Sequence, residues 1–164
     1  MEFDFEFLLE KQAELDALIH LNHKVSYEST KTKRLLAFLV ELGELANAKR
    51  SFKFWSLKAG ESNERLLDEY ADGLHFLLSL ALAHEFELPV FTIEEDAEQD
   101  LTEKFLACYQ SITTFSSKLD KSSLYLAFSD FLALGQALSF TKEEIIAAYE
   151  NKLVVNYQRQ INKY

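Results

Sequence analysis

Proline and glycine are nearly absent from this chain: one proline and four glycines serve 164 residues. A β-sandwich or barrel needs more of both for its many tight turns, so long helices are favoured. Cysteine is just as scarce. Cys108 stands alone, which excludes an internal disulfide and a thiolate zinc site and fits a reducing cytosol. Positive charge is outnumbered, with 17 Lys and Arg against 27 Asp and Glu and a net charge of −10. Nonspecific attraction to a nucleic-acid backbone or an anionic membrane surface is therefore disfavoured. Neither nucleic acid nor membrane is an expected partner, and a phosphate ligand would need a metal ion or a local cationic patch. No apolar run reaches the roughly 18 residues of a membrane-spanning helix. The opening MEFDFEFLLEKQ is acidic where a signal peptide would be basic and then apolar. A cytoplasmic protein of one domain, residues 1–164, is expected.

What the chain has in quantity is helical periodicity. It is 48% hydrophobic and 27% charged, a globular balance, and its apolar residues recur near every 3.6 positions. Six helices are expected. The first runs from about Asp4 to Asn22, followed by a polar connection, HKVSYESTK. The second covers about Lys31 to Arg50, and the third about Asn63 to His84. The extended stretch FELPVFTI follows, where Pro89 stops any continuation. A fourth helix starts near Glu94, its acidic EEDAEQD suited to a positive helix end. A fifth lies in about Ser122 to Leu138. The last begins at Thr141, with Glu144 as capping-box partner, and runs close to Tyr164.

Two of these helices carry acid where grease is expected. LLAFLVELGELANA has only Glu41 and Glu44 as charges, and the two share a face because residues three apart do. LLDEYADGLHFLLSLALA repeats the arrangement with Glu69 and Asp72, flanked by Asp68 and His75. Small residues, Gly43 and Ala46 on one helix and Ala71 and Gly73 on the other, would let the two backbones approach. The plain alternative is a solvated acidic face. Each pair, however, interrupts an apolar stretch rather than a polar stripe. Buried carboxylates without partners are costly, and four together repel. A hard divalent cation relieves both problems, and Mg²⁺ suits carboxylate oxygens and phosphate together. A di-iron site wants two Glu-x-x-His units. Only Asp72 and His75 show that spacing, so His75 reads as a core or supporting residue rather than a ligand.

The loop RSFKFWSLKAGES brings Arg50, Lys53 and Lys58 beside Phe52, Phe54 and Trp55. Cations there suit a polyphosphate and aromatics a flat base or sugar, although Phe52 alone reads as a core anchor. On the last helix Tyr149, Lys152, Asn156, Arg159 and Lys163 recur at three and four, while Ile145, Leu153 and Tyr157 lean elsewhere. Such a stripe either offsets acid or holds phosphate.

ELGELANAKRSFKFWS followed by LLDEYADGLHFLLSL resembles the dimeric, all-α dUTPases, relatives of the MazG-type nucleotide pyrophosphohydrolases. KQAELDALI resembles that family's opening Gln-x-x-Leu-Asp segment, and YENKLVVNYQRQ its C-terminal Tyr-x-x-Lys…Asn-x-x-Arg-Gln segment. The resemblance spans nearly the whole chain. Departures are Val40, where a further acid is common, Asp68 in place of Glu, and a tail without the usual glycine. The resemblance implies a homodimeric helical bundle that hydrolyses dUTP, and dUDP, to dUMP. Glu41, Glu44, Glu69 and Asp72 would bind Mg²⁺, with Mn²⁺ able to substitute, and Glu41 or Glu44 would act as general base. Lys53, Lys58, Lys152 and Arg159 would hold the phosphates. Gln12, Asp16, Trp55, His75, Tyr149 and Asn156 would form the uracil and deoxyribose pocket. Two other readings fit the same helices: a sibling enzyme acting on dCTP or a modified nucleotide, and a non-catalytic helical binding protein.

Overall fold

The computed structural model describes residues 1–94 and 100–163. Its described residues form six helices: α1 (Glu6–His23), α2 (Tyr27–Lys49), α3 (Asn63–Ala83), α4 (Leu101–Lys118), α5 (Lys121–Ala137) and α6 (Lys142–Ile161). Two short strands, β1 (Glu2–Phe3) and β2 (Phe91–Thr92), pair antiparallel. The architecture is the expected all-α bundle. Among the described residues no single helix is long and apolar enough to cross a membrane.

Several boundaries differ from the expectation, each for a local reason. The first helix starts after β1, because the alternation in EFDFEF turns Phe3 and Phe5 inward as a strand would. Phe5 then packs against Phe91 and Phe128, with ring centroids 6.0 and 5.8 Å away. The connection HKVSYESTK is mostly helical. Ser26 caps α2, accepting from the Ser29 backbone N–H at 3.2 Å, and Ser29 Oγ accepts from the Ser26 N–H at 3.0 Å. This capping box uses serine at the position where glutamate is the usual sign. At α6 the usual sign is present, and Thr141 and Glu144 cap it as expected. The acidic start proposed for the fourth helix lies largely at 95–99, outside the described residues. Asp100 caps α4 by accepting from the Thr102 and Glu103 N–H groups at 2.7 and 3.2 Å.

α3 is the organising element. It packs against α1, α2, α5 and α6, most extensively against α2, while α4 and α5 form a second tight pair. Its buried positions run nearly all round, which is the mark of a central helix. The two helices with paired acids do lie together, yet their glycines serve other contacts. A side chain at Gly73 would strike Phe131 of α5, and Gly43 faces the Tyr109 hydroxyl of α4. The glycines thus admit aromatics from the neighbouring pair.

The tightest such contact is at Gly135. Tyr70 is wholly buried, stacks on Phe131 at 4.2 Å and donates its hydroxyl proton to the Phe131 carbonyl oxygen at 2.9 Å. A Cβ at Gly135 would sit 2.6 Å from that hydroxyl oxygen. Alanine is the better helix former by about 1 kcal/mol, but a held aromatic cannot retreat. Gly135→Ala is expected to lose about 1–3 kcal/mol net in urea unfolding, with an unchanged denaturant slope.

Candidate active site

Three of the four expected metal ligands come together. Glu41 of α2 and Glu69 and Asp72 of α3 each offer a carboxylate oxygen, and these oxygens lie within 4.8 Å of one another. The helix period explains the convergence, since Glu69 and Asp72 share the face of α3 that packs on α2. Three hard oxygen donors in one place could hold a divalent metal ion. Glu44 lies one turn further along α2, exposed and outside this trio, though close enough to act electrostatically on Glu41 and Glu69.

The cluster has its own cations. Lys152 of α6 is buried and places its Nζ 2.7 Å from Asp72 Oδ2 and 2.6 Å from Asp68 Oδ1. Arg65 pairs with Asp68 at 2.9 Å and with Glu69. Lys152 is therefore a partner of the carboxylates here, not part of an open cationic stripe. Ile145, expected to lean elsewhere, shares the buried line of Tyr149 and Lys152, one helical turn apart at each step. Arg159 and Asn156 lie further along α6, joined by a 3.4 Å hydrogen bond from Arg159 Nη1 to Asn156 Oδ1. Lys163 follows the helix and is exposed.

Electrostatics follow burial. Desolvation first, then the Asp72, Glu44 and Glu69 carboxylates, push the Glu41 carboxyl from 4.5 up to about 7, against the pull of Lys152. Burial raises Glu69 in the same direction, opposed by Arg65, and raises Asp72 against Lys152.

The loop between α2 and α3 is held from within. Arg50, in the left-handed conformation that ends α2, donates to Ser56 Oγ at 2.9 Å and to the Lys58 carbonyl at 3.3 Å. It pins the loop, while Lys53 bonds Asn47 and Lys58 is exposed. Trp55 is 65% exposed and meets Phe52 and Phe54 edge-on. Phe52, read as a core anchor, is itself 40% exposed. Beside the carboxylates, an opening of about 640 Å³ lies between the first turns of α3 and α6, lined by Asn63, Arg65, Asp68, Ala148 and Asn151 among others.

Gln12, Asp16, His75 and Tyr149 form a second, buried polar group. Gln12 Nε2 donates to Asp16 Oδ1 at 3.0 Å, and Gln12 Oε1 lies 2.7 Å from His75 Nδ1 and 3.0 Å from the Tyr149 hydroxyl. His75 and Tyr149 stack at 4.0 Å. His75 is thus no metal ligand in this arrangement. Sequence reasoning missed Arg65, Arg34 and Ser79. Spacing carried the signal, for Arg65 lies four before Glu69, Arg34 four before buried Phe38, and Ser79 four after His75.

The pH behaviour of Glu41 gives a test. A carboxyl raised by folding favours the folded state when protonated. Its contribution is present below about 4.5 and is lost as pH rises through about 7. The metal-free protein is therefore expected to lose melting temperature between about pH 5 and pH 8 more steeply than Glu41→Gln does. Equal slopes in the two proteins would contradict the shift.

No curated protein matches the chain. A family model described as dUTPase matches residues 4–164. The match takes in the three converging carboxylates, the aromatic loop and the last helix, and the helical architecture agrees with it: the chain belongs to the all-α dUTPase family.

Proposed function

We propose that this protein is a Mg²⁺-dependent enzyme that hydrolyses dUTP, and dUDP, to dUMP, keeping uracil nucleotides out of the pool used for DNA. The observation that carries the reading is the convergence of Glu41, Glu69 and Asp72 from two helices, in a chain whose family match runs from residue 4 to residue 164. A bound Mg²⁺, or Mn²⁺ in its place, would supply phosphate neutralisation and a water of lowered pKa. Glu41, Glu69 and Asp72 would hold it, and exposed Glu44 would complete the set from the solvent side. Glu41 is the favoured general base, because its carboxylate lies in the trio that would hold the ion and so beside the water that ion would bind.

The cations have graded roles. Lys53 and Lys58 on the loop and Arg159 on α6 would hold the phosphate chain. Lys152, already beside Asp72, would balance charge where metal and phosphate meet. Trp55 and Asn156 would lie against the sugar and base. Gln12, Asp16, His75 and Tyr149 would form the base-reading end of the pocket. The protein is proposed to work as a cytoplasmic homodimer of one-domain chains. Exposed Phe54 and Leu57 on the loop and Leu36 and Val40 on α2 supply apolar surface of the kind a second copy covers.

Incubation with Mg²⁺ and each deoxynucleoside triphosphate in turn tests the function. dUTP is expected to yield dUMP and pyrophosphate, with EDTA stopping the reaction. Asp72→Asn is expected to slow it by roughly a hundredfold or more. Preferred turnover of dCTP or a modified nucleotide would keep the metal chemistry and overturn the substrate. No turnover of any nucleotide would favour a binding protein.

A further inference from the structure

The buried polar group extends beyond the residues assigned to the pocket. Arg34 of α2 is 8% exposed and Ser79 of α3 is 1% exposed. Arg34 Nη1 lies 3.4 Å from Asp16 Oδ1 and also donates to Ser79 Oγ. Ser79 in turn donates its hydroxyl proton to Asp16 Oδ2 at 2.6 Å. The guanidinium is itself held on three sides. It stacks over the Tyr27 ring at 4.9 Å, donates to Thr30 Oγ1 at 3.0 Å and donates to His20 Nε2 at 2.7 Å.

These contacts set a direction along the whole chain of hydrogen bonds. A carboxylate only accepts, so the Gln12 group facing Asp16 at 3.0 Å must be the NH₂. The carboxamide oxygen then faces His75 and Tyr149. That oxygen also only accepts, so His75 carries its proton on Nδ1, and burial keeps the ring neutral by lowering its pKa to about 4. In this tautomer the 3.3 Å approach of His75 Nε2 to the Tyr149 carbonyl is a contact without a proton. The Tyr149 hydroxyl divides its proton between Gln12 Oε1 and the Leu8 carbonyl, at 3.0 and 3.2 Å.

Counting the amide's capacity leaves one group over. Two partners occupy the Gln12 oxygen, and Asp16 takes one N–H. The second N–H has no partner among the described residues, on a side chain only 3% exposed. A nucleotide base that reached this amide would meet a donor and no acceptor. Uracil presents a ring carbonyl at position 4, where cytosine presents an amino group. A fixed donor accepts the first and rejects the second, because a mismatch leaves buried polar groups unpaired.

We propose that Arg34 and Ser79 are positioning residues that, by clamping Asp16, hold the Gln12 carboxamide in one orientation and so set the preference for uracil over cytosine. The inference rests on the reading of Gln12 as a base-reading residue. Neither residue touches the carboxylate trio. If the clamp is removed, Asp16 turns, and the amide is free to flip and offer its oxygen to an amino group.

The experiment compares kcat/KM for dUTP and dCTP in wild type, Ser79→Ala, Arg34→Met, Arg34→Lys and Gln12→Ala. Mn²⁺ affinity by electron paramagnetic resonance and the Gln12 side-chain amide signals by NMR are measured on the same samples. Ser79→Ala and Arg34→Met are expected to lower the dUTP-to-dCTP ratio about tenfold, the scale of one hydrogen bond, with Mn²⁺ affinity held within about twofold. Arg34→Lys is expected to restore part of the ratio. Should Arg34→Met leave too bare a carboxylate to fold, Ser79→Ala and Arg34→Lys decide. An unchanged ratio in folded variants, while Gln12→Ala lowers it, overturns the proposal. An unchanged ratio in Gln12→Ala overturns the base-reading role and the proposal with it. The amide signals separate the orientation from the chemistry. Two sharp proton signals in wild type that broaden in Ser79→Ala support the clamp even if dUTP proves not to be the substrate. Signals unaltered in every Arg34 and Ser79 variant overturn it whatever the turnover shows.

Discussion

Mutual repulsion among carboxylates at the α2–α3 seam is the constraint on which the rest of the bundle depends. Glu41, Glu69 and Asp72 bring like charges within 4.8 Å in a half-buried place. Such charges need compensation that solvent cannot fully supply. The protein meets the need from two directions. Arg65 reaches forward one turn along α3, and Lys152 comes across from α6 to hold Asp68 and Asp72. The second contact also ties the last helix to the central one. The same residues that neutralise the site therefore help define where α6 lies.

Polar function is layered along α3. Its first two turns carry Arg65, Asp68 and Glu69, the next Asp72, and then His75 and Ser79. At about 1.5 Å of rise per residue, Asp72 and Ser79 stand about 10 Å apart on one helix. Each layer meets a different neighbour. The acidic layer faces α2 and α6, whereas His75 and Ser79 face Gln12 and Asp16 of α1. A metal and phosphates at one end and a base at the other would span a distance of this order. Aromatics from α5 fill the remaining side, entering at Gly73. One central helix would thus carry both chemical ends of the proposed site, with its backbone fixing their separation.

Much of this was legible beforehand. The helices follow from the 3.6 period and from the shortage of proline and glycine. The acidic pairs stood out because each broke an apolar stretch. Legibility failed where a familiar sign was written in other residues. Ser29 does the work of a capping glutamate, so the start of α2 at Tyr27 carries no familiar sign. Gly43 and Gly73 suggest a close approach of α2 and α3, although each admits an aromatic side chain from another helix. Nothing in the local pattern around Arg34 or Ser79 marks their role, because it depends on α1, α2 and α3 meeting around Asp16.

The sequence by itself determined the fold class and the faces on which Glu41, Glu69 and Asp72 lie, because helical period and residue type are local properties, and the family match over residues 4–164 is likewise a property of the sequence. Only the tertiary structure decided which carboxylates meet, that Lys152 is buried against Asp68 and Asp72, and that Arg34 and Ser79 reach Asp16. Those outcomes depend on how helices distant in the chain pack. A side chain's partner across a helix seam is set by the rotation and depth of both helices, and no spacing within one helix encodes that.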